Sequence, residues 1–388
     1  MSKKIKILYI EPCPLNFGGY YRSIEICQAL SRSNVKVDLL ISSDKKISPL
    51  ISKITINKNL SIYILPRYYL SAYISGHILR GVIATLFGLF GDYDIVQASS
   101  PVQPESNVPL TILKLFGKKI VVSWEDIWTD DVIPFNKIVT QYLKFWENNS
   151  PRFFENIICI SQILVNRAKK LGAKNILKLI NGTNINFYCP NQKLSLKKLK
   201  LNTKFKYLLI FGNTFEGQRA YLTILTFQKI LSLSPQTKLI TNFDLRKQIA
   251  NHPKIKNILP STFNNIINVG YISDELLPHY LAASDIILFI MGNNLNEKAC
   301  FPIRISKFLS SGSIIAIQEN YSETTSILKK YNCALIDTNL DGLALKTVDY
   351  FTNKKLQNKL HAQVIFAKDD LNWDKLVIPL ISLYKKII

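Results

Sequence analysis

The stretch 284–317, SDIILFIMGNNLNEKACFPIRISKFLSSGSIIAI, decides how the chain folds. Its ends, SDIILFI and SIIAI, are short continuous apolar runs, the pattern of strands buried on both faces. Between them FPIRISKFLSSG reads as an apolar helix that carries two cations, Arg304 and Lys307, one turn apart. Strands that are apolar on both sides and joined through helices imply a parallel sheet covered on both faces.

The same rhythm runs through the rest of the chain. KIKILYI, VKVDLLIS, YDIVQAS, KKIVVSW, ENIICIS and ILKLING read as strands, with helical segments such as RSIEICQALSRS and ILVNRAKKLGA between some of them. Residues 191–206, NQKLSLKKLKLNTKFK, interrupt it with six lysines and no acid, and read as a linker. Alternation then restarts at YLLIFGN and continues to the C-terminus. The expectation is α/β throughout: two tandem Rossmann-like doubly wound domains facing across a cleft, where such sheets bind ligands at their carboxyl ends. The boundaries predicted are 1–190, a linker at 191–206, a second domain at 207–370, and a final helix at 371–388.

At 388 residues the chain suits two cores better than one. With 47% hydrophobic and 20% charged residues it is globular rather than disordered. Lys and Arg number 49 against 27 acids, a net +22 that favours polyanionic partners: nucleic acid, an anionic membrane surface, or phosphorylated small molecules. No nucleic-acid recognition motif accompanies the charge, so nucleic acid ranks last. Cys13, Cys27, Cys159, Cys189, Cys300 and Cys333 lie scattered without ligand spacing, as reduced thiols of a cytoplasmic protein do. MSKKIKILYIEP has too short an apolar run for a signal peptide and reads as a first strand. The most lipid-like stretch, 67–90, is interrupted by Ser75, His77 and Arg80, which excludes a spanning helix. It is either a core helix or an interfacial one whose aromatics and arginines sit among headgroups.

Two segments could carry chemistry. In EPCPLNFGGYYRSIEI, Gly18 and Gly19 precede a helix, so their backbone can approach an anion; the alternative is a tight strand-to-helix connection. The spacing is not the G-x-G-x-x-G of a dinucleotide site. VVSWEDIWTDD, residues 121–131, sets Glu125, Asp126, Asp130 and Asp131 with Trp124 and Trp128 directly after a buried strand. One of these acids could serve as a general base or stabilise positive charge, or the loop is merely solvated and anchored by its tryptophans. Neither His nor Cys lies nearby to suggest a metal.

Together these pieces resemble the retaining nucleotide-sugar glycosyltransferases of the GT-B fold, family-4 type. The resemblance is carried by GGYYRSIEICQALSRSNVKVDLL, YDIVQASSP, KKIVVSWEDIWTDD, ICISQILVNRAKKLGAKNILKLINGTNINFYCP, IFGNTFEGQRAYLTIL, NVGYISDELLPHYLAASDIILF and NWDKLVIPLISLYKKI, in that order over nearly the whole chain. It implies that the C-terminal helix crosses back to the first domain. It also implies that Gly18 and Gly19 approach a donor diphosphate, that Asp126, with Glu125 second, orients or polarises the acceptor, that Gly212 starts the donor-binding loop of the second domain, and that Arg219 lies near the phosphates. The opening stretch matches the family's Pro-x-Lys-x-x-Glu-Tyr-Leu-Ala-x-Gly helix through Pro302, Arg304, Phe308, Leu309 and Gly312.

The departures are specific. Lys307 stands where the family has a ribose-binding glutamate, and an ammonium only donates. The acid eight residues earlier would fall on Ala299, with Glu297 the nearest substitute; Asn213 and Gln218 stand in place of a basic pair, with Arg219 adjacent. The activity implied is sugar transfer from a nucleoside diphosphate sugar to a hydroxyl with retention, without a metal or other cofactor, in polysaccharide or glycolipid assembly. Partners implied are the nucleotide sugar, a saccharide or lipid-linked acceptor, and the inner face of an anionic membrane, with the 191–206 lysines and the 67–90 helix as candidates for the contact. The alternative is a non-catalytic relative that binds the nucleotide sugar or serves as a partner subunit. Arg304 and Lys307 are either cations of a phosphate pocket or a solvated helix face.

Overall fold

The computed structural model describes residues 4–45, 48, 50–67, 75–129, 137–212 and 217–388, and the side chains of all these except 75–77. The chain divides into two compact units. The first comprises residues 1–182, 299–303 and 373–388, and the second residues 183–298 and 304–372.

In the first unit the order is β1 (Lys6–Pro14), α1 (Gly18–Arg32), β2 (Lys36–Ser42), β3 (Ser52–Asn57), β4 (Leu60–Leu65), α2 (Ser75–Phe90), β5 (Ile95–Ser99), α3 (Pro104–Leu115), β6 (Lys119–Trp124), α4 (Lys137–Phe154), β7 (Asn156–Cys159), α5 (Gln162–Lys170) and β8 (Asn175–Lys178). The strands lie in the order β3-β4-β2-β1-β5-β6-β7-β8, parallel except for the β3–β4 edge pair. β1 pairs with β2 from Lys6↔Lys36 and with β5 from Ile7↔Ile95, so the winding reverses at the β1/β5 boundary. The crossovers through α2, α3 and α4 all advance in one direction along the sheet, which puts these helices on one face.

The second unit runs α6 (Gln192–Lys198), β9 (Lys206–Ile210), α7 (Gln218–Leu233), β10 (Thr237–Thr241), α8 (Leu245–Gln248), α9 (Pro260–Phe263), β11 (Ile266–Asn268), α10 (Leu277–Ala283), β12 (Ile286–Phe289), α11 (Leu295–Ala299), α12 (Ile303–Ser311), β13 (Ile315–Gln318), α13 (Glu323–Lys330), β14 (Ala334–Asp337), α14 (Leu340–Thr352) and α15 (Lys354–Asp370). Its all-parallel sheet has the order β11-β10-β9-β12-β13-β14 and reverses at β9/β12. The opening stretch is thus β12, α11, α12 and β13. Gly312, at φ +79°, ends α12 in the left-handed conformation that a side chain disfavours.

Residues 191–206, expected as a linker, hold α6 and the start of β9. The Asn191 side chain caps α6 by accepting from the Lys193 amide at 2.8 Å, Leu196 is buried, and Ser195 Oγ lies 3.3 Å from His279 Nδ1 on α10. The lysines mask this helix in the sequence because they occupy its outer side. The division between units falls at 182/183, before the stretch that the charge run marks.

The last helix, α16 (Trp373–Ile387), belongs to the first unit and packs on α1. Trp373, Val377, Leu380 and Tyr384 enter the core beside Ile7, Tyr9, Ile26 and Leu39, and Tyr384 Oη donates to Gln97 Oε1 on β5 at 2.5 Å. Leu380→Ala therefore lowers stability by about 2–5 kcal/mol, whereas Ile378→Ala on the exposed side stays within about 0.5 kcal/mol. Chemical denaturation of the two variants checks this.

Candidate functional site

In the first unit, the carboxyl ends of β1, β5 and β6 converge on a cavity of about 190 Å³ at the point where the winding reverses. Glu11, on β1, lines it, on a strand that is otherwise apolar after Lys6. Its Oε1 accepts from the Cys13 amide at 2.8 Å, and its Oε2 accepts from the Ser23 hydroxyl on α1. Burial, and next the charge of Glu125, raise the Glu11 carboxyl above the ordinary range. Gly19 explains how the helix comes so near: a Cβ there would lie 2.8 Å from Cys13 Sγ and 3.0 Å from Glu11 Oε1. At Gly18 a Cβ would meet nothing within 4 Å, so crowding does not account for that glycine.

Arg22, one turn along α1 and 2% exposed, organises the opposite wall. Its Nε bonds Glu125 Oε1 at 3.2 Å, Nη1 bonds Asn181 Oδ1 at 2.8 Å, and Nη2 bonds the Leu179 carbonyl at 2.7 Å. The guanidinium also lies 5.7 Å from the centre of the Trp373 ring. Asn181 Nδ2 in turn donates to the Phe301 carbonyl. One buried cation therefore joins α1 to the ends of β6 and β8, and through Asn181 to the 299–303 segment.

The acids after β6 separate in role. Glu125 is held by Arg22 and by the Ser123 hydroxyl at 3.0 Å. Asp126 sits beside it, with its carbonyl accepting from Trp124 Nε1 at 2.9 Å; burial, then the Glu125 charge, push its carboxyl from 3.8 up to about 6, against the pull of Arg22. A carboxyl that titrates near neutrality can hold a proton or accept one from a hydroxyl. Asp130 and Asp131 lie outside the described residues.

In the second unit a different pair stands at the end of β9, beside the β9/β12 reversal. Gly212 adopts φ +148°, its amide donates to Asn242 Oδ1 at 3.1 Å, and a Cβ there would collide with the Arg304 guanidinium. Arg304 donates from Nη1 to the Phe211 carbonyl at 3.1 Å and lies 5.5 Å from the centre of the Phe289 ring. Lys307 follows three residues later on the same side of α12, half-buried. Arg219, at the start of α7, pairs with Glu297 at 2.8 Å, and a Cβ at Gly292 would collide with the Glu297 carboxylate. Asn213 lies outside the described residues.

The structure thus groups Gly18, Gly19, Glu125 and Asp126 in one cavity, Gly212 with Arg304, and Arg219 with Glu297. Sequence reasoning missed Glu11, Arg22 and Gly292. An acid within YIEPCP and an arginine on the apolar-spaced face of α1 were the available signals, since charged side chains are rarely buried without partners.

Two outcomes follow from the first cavity. Asp126 and Glu11 keep their protons to higher pH in the folded chain than in the unfolded one, so folding takes up protons above pH ~4 and stability falls as pH rises toward 6 and beyond. Asp126→Asn and Glu11→Gln each flatten this decline, read as melting temperature against pH. Arg22→Ala leaves buried partners unpaired and costs about 3–5 kcal/mol, read by denaturant titration.

No family model matches the chain, and no curated protein matches it in sequence. Solved structures do. Sucrose-phosphate synthase from Thermosynechococcus elongatus superposes at a TM-score of 0.72 with 13% identity, over 99% of this chain and 99% of that one. WaaG, a glycosyltransferase involved in lipopolysaccharide biosynthesis, gives 0.67 at 13% identity over 98% and 99%. HepE from Anabaena, in complex with UDP, gives 0.67 at 15% identity over 98% and 100%. At such identities the likeness fixes the architecture: the chain has the GT-B fold.

Proposed function

We propose that the protein transfers a sugar from a nucleoside diphosphate sugar to a hydroxyl of a saccharide or lipid-linked saccharide, with retained anomeric configuration, in assembly of a polysaccharide or glycolipid. The observation that carries this reading is Arg304 fixed over Gly212 at the end of β9, with Lys307 one turn on, in a fold shared along its length with sugar-transferring enzymes. The UDP bound to HepE supports a nucleoside diphosphate as the group held.

In this reading Arg304 grips phosphate oxygens through its planar fork, Lys307 adds a point charge, and the first amides of α1 at Gly18 and Gly19 offer donors. As the bond from the anomeric carbon to the phosphate oxygen breaks, its electron pair goes to the diphosphate. Fixed cations stabilise that charge as it forms. The acceptor oxygen bonds the anomeric carbon on the same face, and its proton passes to a departing phosphate oxygen while Asp126, backed by Glu125, orients the hydroxyl. With side-chain cations in this role, no divalent ion is required.

A second reading has its own observation. Lys307 occupies the place of the expected glutamate, and Glu297, its nearest substitute, is engaged by Arg219. Both favour a protein that binds the sugar nucleotide without turning it over.

Isothermal titration against a panel of nucleoside diphosphate sugars tests the binding claim. The wild type binds at least one; Arg304→Ala and Gly212→Ala each weaken it by roughly tenfold or more, as loss of a charged phosphate contact does. Unchanged affinity in Arg304→Ala contradicts the assignment. If Lys307→Glu gains hydrolysis that the wild type lacks, the second reading holds.

A further inference from the structure

The second unit has a further recess, of about 340 Å³, at the amino ends of β9, β12 and β13. That volume falls in the range of small-molecule sites. Lys206 opens β9 and Gly212 follows its carboxyl end, roughly 20 Å away along the strand, so the recess is separate from the place where Arg304 meets Gly212. The first turns of α15, the segment 189–192 that leads into α6, and the turn between α12 and β13 complete its walls.

Hydrogen bonds already made inside the fold decide what this recess can offer a ligand. The Ser284 hydroxyl donates to the Tyr280 carbonyl at 2.7 Å, and the Ser311 hydroxyl donates to the Phe308 carbonyl at 2.8 Å. Ser313 Oγ lies 2.7 Å from Ser311 Oγ, and with the Ser311 proton already placed it is Ser313 that donates. A hydroxyl has one proton and two lone pairs, so these three oxygens retain acceptor capacity only. Asp285 beside them accepts from Lys206 Nζ at 3.1 Å and from the Tyr207 amide at 2.8 Å, and its carboxylate adds further acceptor sites.

Donors stand among these acceptors. Each ammonium has three protons; Lys206 places one on Asp285, and Lys354, at the exposed rim, places one on Gln357 Oε1 at 3.1 Å. His361 Nε2 meets Tyr350 Oη at 3.1 Å, and burial holds the imidazole below its ordinary range, so it enters uncharged. The charges of the lining therefore nearly balance: Lys206 against Asp285, with Lys354 at the rim.

Such an inventory selects by elimination. An anion would meet the serine lone pairs and the Asp285 carboxylate, and a cation would meet two ammoniums. An apolar ligand would leave all of these groups unpaired. A hydroxyl both donates and accepts, so it suits both kinds of partner.

We infer that this recess holds a neutral saccharide, whose hydroxyls donate to Ser284, Ser313 and Asp285 and accept from Lys206 and Lys354. Holding it needs neither a nucleotide sugar nor turnover, so it stands or falls apart from sugar transfer.

Cys189 lines the same recess and is exposed, which supplies a local readout. The full chain is alkylated with iodoacetamide in the presence of glucose, maltose, lactose, cellobiose or maltotetraose, and the Cys189 peptide is followed by mass spectrometry. At a few times Kd, at least one of these sugars slows Cys189 alkylation by roughly threefold, in proportion to the unliganded fraction. Protection by both glucose and maltotetraose identifies a single sugar unit as sufficient, and protection by maltotetraose without glucose identifies a chain. Glucose 6-phosphate and glucosamine, which add a charge to the same ring, protect less. Ser284→Ala with Ser313→Ala weakens protection roughly tenfold, as loss of two hydrogen bonds does. Lys354→Ala, on an exposed side chain that the fold does not need, weakens it by roughly threefold and keeps the site testable if the double variant melts early. Asp126→Asn, in the first unit, leaves protection unchanged. The inference is overturned if no neutral saccharide protects Cys189, if a charged analogue protects better, or if the recess variants are protected as the wild type is.

Discussion

Strands apolar on both faces can be buried only if helices cover both sides of the sheet, and the rest of the structure follows from that constraint. Helical crossovers make both sheets parallel apart from the β3–β4 edge pair of the first. Winding outward from β1 and from β9, first to one side and then to the other, leaves a reversal at β1/β5 and at β9/β12. At such reversals the crossing loops part, and side chains beyond the strand ends face open space. Glu11, Ser99 and Asp126 occupy that position in one unit, and Gly212 and Arg304 in the other.

How far the sequence revealed this varied with the physics involved. Apolar runs such as SDIILFI announced β12 because burial on both faces leaves no alternation to confuse with helix. α6 stayed hidden because its lysines are what a local reading notices, while its anchors, the Asn191 cap and buried Leu196, act through α10 and neighbouring backbone. Asp126 stands out in the sequence as an acid directly after a buried strand, and Arg304 as a cation on an apolar helix between two. Glu11 and Arg22 do not, because their meaning lies in partners distant in sequence: Asn181 is 159 residues from Arg22. The glycines divide likewise. Gly19 reads as a turn, but only coordinates show Glu11 and Cys13 filling the space of its absent side chain.

The two units handle charge in opposite ways. In the first, Arg22 is surrounded by a carboxylate, an amide and a carbonyl, so its charge is used inside the fold, while Asp126 and Glu11 hold their protons to higher pH. In the second, the Arg304 guanidinium donates to the Phe211 carbonyl and lies against the Phe289 ring, beside a glycine that cannot crowd it. The first arrangement suits orienting a neutral hydroxyl, and the second suits an anion. That contrast is the physical content of the transferase proposal, and Lys307 extends the cationic side of it.

The measurement that tests the central claim most directly is release of nucleoside diphosphate by the purified protein, followed with a panel of nucleoside diphosphate sugars and saccharide acceptors in the presence of a chelator. The account predicts release that depends on one donor, is accelerated by an acceptor, and persists with divalent ions removed. Tight donor binding with no release under any acceptor would contradict catalysis and leave a sugar-nucleotide-binding protein in its place.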